Sequence, residues 1–175
     1  MFADSLAASI VALALFVGAA ISDYYDGKLA RQLGVGSRVG KFLDPLADKI
    51  LILGTFIALA VLIPDVVPWW AVALIGVRDV YVTAQRSVAE TRGRSVRTLP
   101  MAKTKTTFQL IFLIGMLVVL VVVKLPPPLA SIGSWVLDSV IPFILLLIVV
   151  ALTVITGVAY AMNPSQPIDT STSAN

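Results

Sequence analysis

Four aspartates carry the chemical interest of this 175-residue sequence. Asp23 and Asp26 are three residues apart, and Asp44 and Asp48 are four apart. On a helix either spacing puts both carboxylates on one face, one turn from each other. The chain has no histidine and no cysteine, which removes the commonest general base and the thiolate nucleophile or ligand. Acid–base or metal chemistry must therefore run on carboxylates, and oxygen ligands favour hard cations such as Mg2+, Mn2+ or Ca2+. Four carboxylates brought together repel one another, and divalent cations are the natural compensation. The competing reading has these aspartates capping helices or pairing with Lys28, Arg31, Lys41 and Lys49. That suits one isolated aspartate better than two helical pairs.

Small residues stand between the pairs. Gly27, Ala30 and Gly40 occupy positions where a larger side chain would fill the space between the carboxylate faces. Gly40 precedes Asp44 by one turn and leaves open space beside it. Each could equally serve close helix packing. Arg31 follows Asp26 by five residues and can pair with a phosphate or with an aspartate. The whole spacing reads Asp23-x2-Asp26-Gly27-x2-Ala30-Arg31-x8-Gly40-x3-Asp44-x3-Asp48. It resembles the signature of the CDP-alcohol phosphotransferase family at every defined position.

The resemblance implies that Asp23, Asp26 and Asp44 hold one or two Mg2+ or Mn2+ ions, while Asp48 is the general base and also touches a metal. Gly27, Ala30, Arg31 and Gly40 would then border a CDP-linked lipid such as CDP-diacylglycerol, with CMP as the leaving group. It further implies a homodimer. The family usually carries an interfacial helix and one more span ahead of the aspartate-bearing one, making six, so the resemblance also implies that a first family helix is missing from this sequence.

A second polar group bears on the acceptor alcohol. Arg78 and Asp79 lie inside an apolar stretch, and Arg86 follows Arg78 by eight residues, near the same helical face. Lys103, Lys105, Thr106 and Gln109 then open the next apolar run, where a helix N-terminus also favours an anion. A phosphate-bearing acceptor fits these cations better than a zwitterion. Trp69-Trp70, Arg78-Asp79, Arg86 and the stretch Ala102 to Gln109 resemble the branch of the family that uses glycerol 3-phosphate. Asp79 stands where that branch has Glu, and Ala102 where it has Gly. The expected acceptor-phosphate residues are Arg78, Arg86, Lys103 and Lys105. The alternatives are another alcohol of the same family, such as inositol phosphate, and, from a different class, a cation or proton transporter, since intramembrane aspartates also build ion pathways.

The elements that must position these groups follow from composition. The chain is 58% hydrophobic and 13% charged, whereas soluble domains carry roughly twice that charge. It reads as an all-α, polytopic transmembrane bundle. Apolar stretches at 5–22, 42–63, 69–90, 106–123 and 140–162 give five spans of the length a bilayer requires. Pro64, Asp65 and Pro68 predict a tight turn, and the triple proline at 126–128 a break. Of 13 Lys and Arg, all but Lys124 lie at 28–49 or 78–105. The positive-inside bias then puts these segments, and the aspartates, on the cytoplasmic side of what would be a bacterial inner membrane. Basic segments this short, held between apolar spans, argue against nucleic acid as a partner. Residues 1–163 form the membrane domain, and the Ser/Thr/Pro-rich 164–175 reads as a disordered tail.

Overall fold

The computed structural model describes residues 5–33, 40–91, 94–95, 100–162 and 166–167, and within these the side chains at 23–24, 26–33, 40–48, 86–87, 89–95, 100–104 and 166–167 lie outside the description. The described residues form six helices: α1 (Leu6–Leu33), α2 (Gly40–Leu62), α3 (Trp69–Thr91), α4 (Pro100–Val122), α5 (Leu129–Asp138) and α6 (Ile141–Met162). Two two-residue strands, β1 (Arg94–Ser95) and β2 (Gln166–Pro167), pair antiparallel. The fold is all-α, as composition predicts.

Helices α4 and α6 contain runs, Lys105–Val122 and Ile141–Met162, long and apolar enough to cross a membrane, while Leu6–Ser22 and Lys49–Leu62 are shorter apolar stretches. Helix α1 does not stop with its apolar residues. It continues through Asp23, Asp26 and Arg31 to Leu33. Its 28 residues extend roughly 42 Å at 1.5 Å each, beyond the ~30 Å of a hydrocarbon core. The polar end of α1 thus has room to stand at or above a lipid boundary.

Where the backbone must stop being helical, proline decides it. After α2, Pro64 ends the run, and the amides of Val66 and Val67 both turn back to the Ile63 carbonyl at 3.0 and 2.9 Å. This is the tight turn the sequence predicts. Helix α4 tightens before Pro126: the amides of Lys124 and Leu125 reach carbonyls three residues back, Val121 and Val122, at 3.0 and 3.1 Å. Helix α5 was not expected from the sequence, because ten residues are too few for a span. It packs on α4 through Gly133, where an added Cβ would meet the Val123 backbone nitrogen at 2.8 Å. Only glycine permits that approach.

The core lies between α2, α3, α4 and α6, with Phe16 from α1. Ile52, Phe56 and Leu59 of α2 and Phe112, Leu113 and Met116 of α4 belong to this core, and the Phe56 and Phe112 rings stack at 5.9 Å. Leu15, Ile50, Val77, Ile111 and Ile155 remain exposed, one from each long helix. Such outward faces suit lipid, and in lipid the bundle is held by packing and polar contacts rather than by expulsion of water.

The two ends of the bundle differ. At one end the Lys124 ammonium donates to Ser9 Oγ at 2.8 Å, joining the end of α4 to the start of α1. Deeper in the bundle, towards the other end, Lys49, Arg78, Asp79, Lys105 and Thr156 meet.

Candidate functional site

Asp79 is the junction of that second group. It lies midway along α3, with its side chain 16% exposed. Its Oδ1 accepts from Arg78 Nη1 at 3.0 Å and from Lys105 Nζ at 2.5 Å. Its backbone carbonyl accepts from Lys49 Nζ on α2 at 3.1 Å, and also from Thr83 Oγ1 at 2.6 Å. Helices α2, α3 and α4 are therefore tied at one residue. Helix α6 joins through Arg78, whose Nη2 donates to Thr156 Oγ1 at 2.9 Å. The guanidinium also lies over the Tyr160 ring, 5.8 Å from its centroid, within cation–π range.

Among the described side chains, cations outnumber carboxylates: Arg78 and Lys105 share one carboxylate. Lys105 is only 3% exposed, so little water screens the excess positive charge. Two buried donors also have no acceptor: Arg78 Nε and Gln109 Nε2. Gln109 is 1% exposed and sits one turn after Lys105 on α4, hence on the same helical face. Among the described residues the cluster is rich in donors, short of acceptors and net positive, a chemistry that suits an anion.

Of the four cations expected to hold an acceptor phosphate, Arg78 and Lys105 come together here, but on a carboxylate as well as on each other's side of the bundle. The side chains of Arg86 and Lys103 lie outside the described residues; their backbones belong to α3 and α4. The same holds for the carboxylate group. Asp23, Asp26, Gly27, Ala30 and Arg31 are in α1, and Gly40, Asp44 and Asp48 in α2, with side chains outside the description. Both aspartate pairs are thus on helices, with the separations that share a face. Lys49, the neighbour of Asp48, links that region to Asp79.

The sequence places α6 as a span at 140–162 but does not show which of its residues face the cluster. Thr153, Thr156 and Tyr160 are buried in an otherwise apolar helix. Their spacing at three and four residues is the signal that one polar stripe of α6 faces inward.

A model of the CDP-alcohol phosphatidyltransferase family matches residues 1–159. The chain belongs to this family. A probable phosphatidylglycerophosphate synthase of Mycobacterium tuberculosis is 38% identical over 157 residues, covering 88% of this chain and 66% of the relative. A CDP-diacylglycerol–glycerol-3-phosphate 3-phosphatidyltransferase of Bacillus subtilis is 37% identical over 123 residues, 70% of this chain and 63% of the relative. A protein of the same name from Salmonella typhimurium is 35% identical over 115 residues, 63% of this chain and 62% of the relative. The chain thus spans slightly less than two thirds of the length of these relatives. As a CDP-alcohol phosphatidyltransferase with apolar helices and lipid-suited outer faces, it is an integral membrane protein.

Proposed function

We propose that this chain transfers the phosphatidyl group of CDP-diacylglycerol to glycerol 3-phosphate, giving phosphatidylglycerophosphate and CMP. The observation that carries the acceptor is the buried cluster at Asp79: excess positive charge from Arg78 and Lys105, with Arg78 Nε and Gln109 Nε2 lacking acceptors. A phosphate supplies both the negative charge and the oxygens. The names of the M. tuberculosis and B. subtilis relatives support the same substrates. Family membership favours group transfer over cation or proton transport.

The donor set for a metal is four carboxylates on two helices, hard oxygen ligands that fit Mg2+ or Mn2+. Asp23, Asp26 and Asp44 would hold it, and Asp48 would touch it. When bound, such an ion neutralises the pyrophosphate and makes the phosphorus more electrophilic. Gly27, Ala30 and Gly40 leave space for the CDP group, and Arg31 pairs with its phosphates. Arg78 and Lys105, with Arg86 and Lys103, orient glycerol 3-phosphate so that a free hydroxyl faces Asp48. Asp48 takes the hydroxyl proton as that oxygen bonds to the lipid-linked phosphorus. The bond from this phosphorus to the bridging oxygen breaks, and CMP departs with the electron pair. Positioning and charge neutralisation supply most of the rate.

Helices α1, α2, α3, α4 and α6 span the membrane in this reading, and the chain works as a homodimer in a bacterial inner membrane with its site towards the cytoplasm. In this cysteine-free chain, a cysteine introduced at Ser37 or Ser95 should resist a reagent added from outside, and labelling there would reverse the orientation. The function itself is tested by CMP release from CDP-diacylglycerol with glycerol 3-phosphate, inositol phosphate and serine as competing acceptors. Faster use of either competitor would reject the proposed acceptor.

A further inference from the structure

We infer that Thr156, Gly157 and Tyr160 of α6 are positioning residues that set the direction of the Arg78 guanidinium, and so help to select a phosphate-bearing acceptor. This rests on the proposed role of Arg78. An arginine stem has four rotatable bonds, and in a cluster with excess positive charge the guanidinium is repelled by Lys105. Something must hold it in place. The Asp79 carboxylate takes Nη1, but it is shared with Lys105. Helix α6 supplies the remaining restraints through three residues.

Thr156 Oγ1 accepts from Nη2 at 2.9 Å. That hydroxyl is 1% exposed, and its own hydrogen points back into the helix, towards the Leu152 and Thr153 carbonyls at 2.7 and 3.0 Å. Its lone pairs are therefore turned to the arginine. Tyr160, one turn further on the same stripe, puts its ring face against the guanidinium. Between them the stem crosses Gly157, where a Cβ would come within 2.9 Å of Arg78 Cγ. With Nη1 and Nη2 both engaged, the unpartnered Nε is left at a fixed orientation for a ligand oxygen.

The test is steady-state kinetics of the full chain in lipid, with each substrate varied in turn. Thr156→Val keeps the shape and removes the acceptor oxygen. It should raise the KM for glycerol 3-phosphate about tenfold, the worth of a charge-assisted hydrogen bond, with kcat at saturation and the KM for CDP-diacylglycerol little changed. Thr156→Ser should restore the wild-type value. Gly157→Ala should act like Thr156→Val, whereas Gly115→Ala, where an added methyl meets nothing, should not. A general packing defect would add to other losses. Positioning through Arg78 predicts instead that Thr156→Val has no further effect once Arg78→Ala is present. If Arg78→Ala leaves the acceptor KM unchanged, the proposed function of Arg78 fails, and the inference with it. If Arg78→Ala raises that KM but Thr156→Val and Gly157→Ala do not, the function stands and the positioning role is wrong. Equal losses for both substrates, or full additivity with Arg78→Ala, would also overturn it.

Discussion

Helix α4 is flanked by two lysines, one held among charges and the other on a hydroxyl. Lys105, in its second turn, is almost fully buried against the Asp79 carboxylate, beside a second cation and two donors without acceptors. Lys124, just past its end, is half-buried and donates to the neutral Ser9 hydroxyl. Burial of a charge is costly unless it is paired, and an unbalanced buried cluster is costlier still. A bundle that needed only a strap at this place could use a contact like Lys124–Ser9. On the proposed function, the cation-rich cluster takes the ligand, whereas the Lys124–Ser9 contact is a structural strap.

The comparison breaks most easily at the carboxylates beside the charged end. Asp23→Asn, Asp26→Asn and Asp44→Asn should each abolish turnover and weaken divalent-ion binding. Asp48→Asn should abolish turnover, by at least the 10²- to 10⁴-fold typical of a lost general base, with less loss of metal. EDTA should silence the wild type. Robust turnover in EDTA, or a wild-type rate in any of the four variants, would remove the metal-and-base reading.

Lys105→Met should raise the KM for glycerol 3-phosphate about tenfold or more, a buried charge-assisted contact being worth about 1.5–3 kcal/mol. It should not lower the melting temperature in detergent, because Arg78 and Asp79 remain as a balanced pair. Asp79→Asn removes the shared carboxylate and leaves two buried cations unpaired. It should destabilise by about 3–5 kcal/mol as well as impair turnover. If Lys105→Met unfolds the protein while Asp79→Asn does not, the charge excess has been assigned the wrong way round.

These two groups of residues differ in how far the sequence exposes them. The aspartate spacing is local: two turns of helix carry each pair, so periodicity alone puts them on a face, and the family signature lies within residues 23–48. The helices themselves were readable from apolar runs and proline stops, including the turn at 64–68. Helix α5 was not, because ten amphipathic residues between two prolines and a serine lack the length that marks a span. Arg78 and Lys105 were readable as charges in costly places. Their meeting on Asp79 was not, since it depends on how α3 and α4 are rotated against each other. Thr156 and Tyr160 were hidden for the opposite reason. In a helix as apolar as α6, a threonine that returns its hydrogen to its own backbone looks innocuous until the arginine donating to it is seen.

Gln109 sharpens the contrast at smaller cost. Its Nε2 is buried with no acceptor, so it weakens the ligand-free protein by whatever desolvation costs. Gln109→Leu should leave stability unchanged or improve it, while raising the KM for glycerol 3-phosphate about tenfold, a hydrogen bond to a charged acceptor being worth about 1.5 kcal/mol at the low end. A loss of stability with no change in KM would make Gln109 a core residue rather than part of the ligand cluster.

The smallest effect is expected at the Lys124–Ser9 contact. Ser9→Ala removes the hydroxyl that accepts from Lys124. Lys124 lies after α4 has ended, beside the prolines that close it, is half-buried, and has a further interaction besides Ser9. The freed charge is therefore not stranded, and the change in stability should stay within about 1 kcal/mol, the scale of an ordinary hydrogen bond. Neither KM should move, because no contact at this end touches the Asp79 cluster. Ser9→Ala and Lys105→Met each delete one polar contact of a lysine on either side of the same helix, and they should part in kind. The first lowers the melting temperature slightly and spares both substrates. The second spares the melting temperature and costs the acceptor. If Ser9→Ala raised the acceptor KM as Lys105→Met does, the two ends would be coupled through α4, and assigning one end to ligand and the other to scaffold would fail.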